Sequence, residues 1–292
     1  MPSFMEPAIL EKAEWVEGDI LDLCSLEDAM QGIDIIIHSA AVVSFSKSDR
    51  AKMYRINVEG TKNIVNKALE CGIKKLVYIS SVAAIGRKLT GELVDEKTQW
   101  EDSHTHTHYA ISKFKAELEV WRGFAEGLEG VVLNPATILG YGNWEQSSSG
   151  LFKSAHKEFK WYSRGINGFA DVNDVARATV ELMKLDITEQ RYIVCNDNWP
   201  FRKLFDTMAR HFGKKGPTRE ATPLLAGIAW RLEKLKSLLT GKKPLLTKES
   251  AKVANSFTQF NNTKLLKTLP GFHYTPLDET IQNACKNYEA TL

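Results

Sequence analysis

Short apolar runs rich in β-branched residues alternate with stretches of helical period through the first half of the chain. Residues 13–20 read as a short strand, and residues 25–32 as a helix opened by Ser25 with Asp28 three residues on. Residues 33–38 (IDIIIH) have the composition of a strand buried on both faces. A long amphipathic helix is predicted over 49–71, closed by Gly72. A strand over 75–81, a helix over 109–126 and a strand over 130–134 complete the run. This βαβα rhythm predicts an α/β fold with a doubly wound parallel sheet and right-handed crossovers.

Beyond Pro135 the rhythm loosens. Residues 140–150 (GYGNWEQSSSG) read as a Gly/Ser-rich loop, 168–185 as one more strand and helix, and 190–195 as a further strand. From Trp199 the pattern is mostly helical, over 201–212, 223–239 and 247–256. The expected division is a sheet domain of residues 1–140 and 168–195, with a smaller, mostly helical lobe of 141–167 and 196–292. The 223–239 helix carries an apolar stripe opposite basic residues, and packing on its own domain is favoured over a membrane surface.

Composition narrows the function classes. The chain has 292 residues, 43% hydrophobic and 25% charged, as in an ordinary soluble globular protein. A net charge of +2 gives no general field for nucleic acid or anionic membrane, and neither is expected as a partner. Cys24, Cys71, Cys195 and Cys285 are widely spaced and read as buried, reduced thiols. No membrane-spanning run or secretory signal is read, so the expected location is cytoplasmic.

Two chemistries compete in the segment SHTHTHYAISK (103–113). His104, His106 and His108 alternate, as metal ligands on an extended segment would, yet no second Cys/His cluster completes a site. A solvated loop leading to a helix cap at Thr107 or His108 fits them better, and no metal is expected. Tyr109 and Lys113 stand four apart, on one face of a helix. An ammonium beside a phenol favours the phenolate, as a tyrosine acid or base requires. The same spacing also arises by chance on solvated helices. Ser81 ends a predicted strand, where ligands sit in doubly wound sheets, though a turn hydroxyl is equally common there.

Ordered motifs add weight to the pair. VEGDILD (16–22), IIHSAA (36–41), NVEGT (57–61), YISSVAAIG (78–86), YAISK (109–113), NPATILG (134–140) and GFADVNDVARA (168–178) follow one another, and residues 260–281 resemble a matching C-terminal ending. In this order they resemble the extended short-chain dehydrogenase/reductases, the NAD-dependent epimerase/dehydratase family. The resemblance implies a Rossmann-like fold, a smaller substrate lobe, NAD or NADP as cofactor and a small-molecule substrate. Tyr109 would exchange a proton with the substrate oxygen, Lys113 would lower its pKa and hold the nicotinamide ribose, and Ser81 would position that oxygen. Asp19 and Ile20 would meet the adenine, Ser39, Ala40 and Ala41 would back the cofactor, and Pro135 would pack near the nicotinamide. Asn57 would be a structural or cofactor-side asparagine. Val82, Ala83 and Ala84 stand where dehydratases of the family carry acids, which points to the reductase/dehydrogenase branches resembling dihydroflavonol reductase and 3β-hydroxysteroid dehydrogenase, or to an epimerase. The resemblance also permits a homodimer through helices 49–71 and 109–126.

One family element is unmatched. The glycines of the first sixty residues are Gly18, Gly32 and Gly60, and none forms a Gly-x-x-Gly-x-x-Gly turn. The expectation is therefore an N-terminally truncated form of the sheet, an exposed apolar edge at residues 33–38 and poor cofactor affinity. The alternative function is a non-catalytic relative serving as a ligand-sensing or interaction module.

Overall fold

The computed structural model describes residues 11–88, 91–102, 106–145, 147–240 and 247–292. Helix α1 (Leu23–Met30) precedes strand β1 (Ile35–His38). Helix α2 (Arg50–Tyr54), a π-helical stretch (Arg55–Gly60) and α3 (Thr61–Glu70) then run on as one rod. Gly72, at φ +69°, ends the rod in a left-handed turn that favours glycine. Then come β2 (Lys75–Ile79), α4 (His108–Ala125) and β3 (Gly130–Pro135). These strands form one parallel sheet with β6 (Gln190–Val194), in the order β1-β2-β3-β6.

Alternation along the central strands explains the two covered faces. Leu76 and Tyr78 of β2 and Val132 of β3 meet Val65, Ala68, Val120 and Phe124 of α3 and α4 on one side. Val77, Val131 and Leu133 turn to the other side, against Val175, Ala178 and Leu182 of α6 (Val172–Lys184). Successive side chains leave a strand on opposite faces, so a run buried throughout needs a helix layer on each. Gly130 is required where β3 enters: a Cβ there would stand 2.1 Å from the Leu76 carbonyl oxygen.

A second sheet joins β4 (Thr137–Leu139), β5 (Ile166–Asp171) and β7 (Asp197–Pro200), with β5 parallel to β4 and antiparallel to β7. Phe169 and Trp199 of this sheet pack with Phe152 of α5 (Gly150–His156), with Leu204 and Met208 of α7 (Phe201–His211), and with Ile281 and Cys285 near the C-terminus. Helices α8 (Pro223–Thr240), α9 (Lys248–Ala254), α10 (Thr263–Thr268) and α11 (Leu277–Glu289) complete the chain.

Four expectations are corrected. Residues 13–20 form no strand; with β1 paired only to β2, the sheet as described offers them no neighbour. Helix α1 is capped by Asp22 rather than Ser25, because the Asp22 carboxylate accepts from the Cys24 and Ser25 amides. Cys24 and Cys71 are exposed, and only Cys195 and Cys285 are buried. Among the described side chains of the α8 stripe, Leu224 is 75% and Leu232 62% exposed. The exposed edge at β1 is as expected: Ile35 and Ile37 are 38% and 46% exposed. Among the described residues no helix is long and apolar enough to cross a membrane.

Candidate active site

Strand β2 delivers Ser81 to the carboxyl edge of the sheet, and α4 lays Tyr109 in its first turn beside it. Thr107 caps that helix, its hydroxyl accepting from the Ala110 amide at 3.0 Å. Ser81 is tied into a short turn, its Oγ accepting from the Ala83 amide at 3.1 Å. The Tyr109 phenol is raised above its ordinary range by burial, and a hydrogen bond with Ser81 opposes that rise. The expected serine and tyrosine are therefore neighbours at this edge. The Phe45 ring meets Tyr109 edge-on, with centroids 6.0 Å apart.

Lys113, one turn further on, is almost fully buried. Its ammonium donates to the Tyr78 hydroxyl at 2.8 Å and to the Ile79 carbonyl at 3.0 Å. It also stands over the Tyr78 ring, 4.5 Å from the centroid. Burial pushes Lys113 down to about 8, and the Glu117 charge opposes the fall. In the structure the side chain that opposes the rise of the Tyr109 phenol is Ser81, and the Lys113 ammonium is held by β2 one helical turn away.

Behind Tyr78 lies a second buried pair. His38 Nε2 and Thr61 Oγ1 are hydrogen-bonded at 2.9 Å, and the His38 ring tilts against Tyr78 at 5.2 Å. Burial first, then the Lys113 charge, pushes His38 down to about 3, so it is neutral at ordinary pH.

The other expected residues separate into three groups. Ser39, Ala40 and Ala41 are exposed just beyond the carboxyl end of β1. Asn57 is buried and ties three segments together. Its Oδ1 accepts from the Val42 amide at 2.7 Å, and its Nδ2 donates to the Val42 carbonyl and to Ser112 Oγ, both at 3.0 Å. Those contacts are structural. Pro135 is buried at the end of β3, Asp19 is exposed, and the Ile20 side chain lies against Gly60.

The histidines divide likewise. His104 lies outside the described residues. His106 Nε2 donates to the Glu101 carbonyl at 2.9 Å, and its ring stacks on Trp100. The His108 ring meets the Tyr54 hydroxyl at 3.2 Å, and its amide donates to Glu249 at 3.1 Å. Among the described residues no group of three metal-ligating side chains is assembled.

Two residues of the site were not singled out from the sequence. Tyr78 could be found only from the fold, since its contact with Lys113 crosses from helix to strand. Glu117 had a signal, because it follows Lys113 by one helical turn on the same face.

The residues present suit the nicotinamide end of a dinucleotide: a buried ammonium and a tyrosine–serine pair at strand carboxyl ends, beside the open Ser39–Ala41 segment. Among the described residues no glycine-rich strand–helix turn provides the pyrophosphate cradle.

Comparison with known proteins agrees with this arrangement. Residues 6–210 match the 3-beta hydroxysteroid dehydrogenase/isomerase family. A Synechocystis sp. protein provisionally named dihydroflavonol 4-reductase is 31% identical over 88% of this chain and 76% of its own length. Cinnamoyl-CoA reductase 1 of Petunia hybrida is 30% identical over 63% of this chain and 57% of its own length. Among solved structures, gox2253 superposes with a TM-score of 0.82 at 26% identity, covering 100% of this chain and 89% of that one. The UDP-glucose 4-epimerase of Thermus thermophilus, solved with NAD, has a TM-score of 0.72 at 19% identity over 94% and 84%, a likeness of fold alone. Sequence match and sheet order agree, and the chain belongs to the 3-beta hydroxysteroid dehydrogenase/isomerase family, enzymes of the short-chain dehydrogenase/reductase type.

Proposed function

We propose that this chain is a nicotinamide-dependent reductase or dehydrogenase that interconverts a carbonyl and a secondary alcohol on a small molecule. The observation that carries the reading is the placement of Ser81, just beyond β2, next to Tyr109 in the first turn of α4, one helical turn from a buried lysine. When bound, the nicotinamide supplies or takes the hydride. Tyr109 gives its phenolic proton to the carbonyl oxygen in reduction and takes it back in oxidation. Ser81 donates a hydrogen bond to the same oxygen, fixing it within reach of the phenol. Lys113 holds positive charge beneath the site and favours the anion that Tyr109 becomes. Val82, Ala83 and Ala84 form the turn after Ser81 and bring no acid or base, which supports one-carbon redox chemistry over dehydration.

The reading is tested by supplying NADH and NADPH deuterated at the hydride-bearing carbon. The probes are a dihydroflavonol, a ketosteroid and a nucleoside-diphosphate ketosugar. Deuterium appearing on the new carbinol carbon of at least one probe is the expected result. Conversion without label, or no conversion of any probe with either cofactor, contradicts it.

A further inference from the structure

Glu117 is 1% exposed, and a carboxylate in that position needs donors on every side. It has four, and its two oxygens divide them. Oε1 accepts from Trp121 Nε1 at 3.2 Å and pairs with Arg191 at 2.5 Å. Oε2 faces the sheet end, accepting from Ser80 Oγ at 2.5 Å and Asn134 Nδ2 at 2.8 Å. The same Asn134 amide donates to the Ser81 carbonyl at 3.0 Å. Both neighbours of Oε2 are thus attached to Ser81, one through the peptide bond and one through its backbone oxygen.

The same carboxylate lies one turn from Lys113, whose burial it offsets. Charged and titratable groups around the pair are Tyr78 on β2, His38 on β1, Tyr109 on α4 and Arg191 on β6. His38 is neutral, so Arg191 is the competing cation.

We propose that Glu117 is a positioning residue: Oε2 clamps Ser80 and Asn134 and so aims Ser81, while its charge is the counter-ion of the buried Lys113 ammonium. The clamp would matter to catalysis only if Ser81 and Lys113 act as proposed above, but both contacts can be tested without substrate or cofactor.

Lysine labelled with carbon-13 and nitrogen-15 allows Lys113 to be titrated by NMR, its signal assigned by its loss in Lys113→Met. Glu117→Gln is expected to lower the Lys113 midpoint by about one unit, and Arg191→Gln to raise it, since an opposite charge nearby favours the charged form by roughly 1–3 units. The opposite signs separate a charge effect from general loosening, and Arg191→Gln alone suffices if Glu117→Gln does not fold. Hydrogen exchange at the Ala83 amide, which donates to Ser81 Oγ, is expected to quicken in both Glu117→Gln and Ser80→Ala. A Lys113 midpoint unmoved in the folded variants overturns the counter-ion role, and unaltered Ala83 exchange overturns the clamp.

Discussion

At Lys113 the structure resolves what spacing alone left open. A lysine four residues after a tyrosine on a solvated helix would carry an ordinary pKa and no fixed partner. Here the ammonium is buried, held by Tyr78 and Ile79, and pushed down to about 8. The placement of Tyr109 and Lys113 one turn apart on a single helix was legible because helical period is local. The Tyr78 contact was not, because it joins residues 35 apart on different elements. His38 supplies the prediction at this scale. Its pKa falls from 6.5 in the unfolded chain to about 3 in the fold, so between these values the unfolded state holds the extra proton. Stability therefore rises with pH across that window and is lost on acidification, with a slope from this one group approaching 1.4 kcal/mol per pH unit. Urea unfolding of His38→Gln is expected to show a shallower dependence between pH 6.5 and pH 4 than the native chain. Identical slopes would remove His38 from the account.

At the scale of elements, the sequence was most readable where burial and termination signals agreed. Strands β2 and β3 are apolar on both faces and are covered on both faces, and Gly72 stops α3 as its position suggested. Reading failed where tertiary neighbours decide. Residues 13–20 have strand-like composition, but a strand exists only with a partner beside it. The α8 stripe has core-like period, yet its Leu224, Ile228 and Leu232 face solvent. The start of α4 is the element on which the site depends most, because Tyr109 lies in its first turn behind the Thr107 cap. Thr107→Val is expected to cost about 1 kcal/mol in urea unfolding, and Thr107→Ser to restore most of it. Equal stability of all three proteins would show that the cap does not hold this turn.

For the whole molecule, the doubly wound sheet puts the ends of β1, β2 and β3 at one edge, and the motifs that carry Ser81 and Tyr109 come together there. Ser81 arrives from a strand and Tyr109 from a helix, and the parallel connection brings them together. That convergence was implied by the family resemblance, whereas the network of Glu117, Asn134 and Arg191 behind it required the fold. The central claim is that Tyr109 exchanges the proton while the site's other groups hold the reactants. It is tested most directly by comparing the native chain with Tyr109→Phe in the oxidation of NADH or NADPH by a carbonyl probe that the native chain converts, alongside cofactor affinity by calorimetry. The phenyl ring keeps the packing and removes only the hydroxyl. The account predicts a kcat at least about a hundredfold lower with cofactor affinity changed less than about threefold. A Tyr109→Phe variant that turns over at the native rate would contradict it.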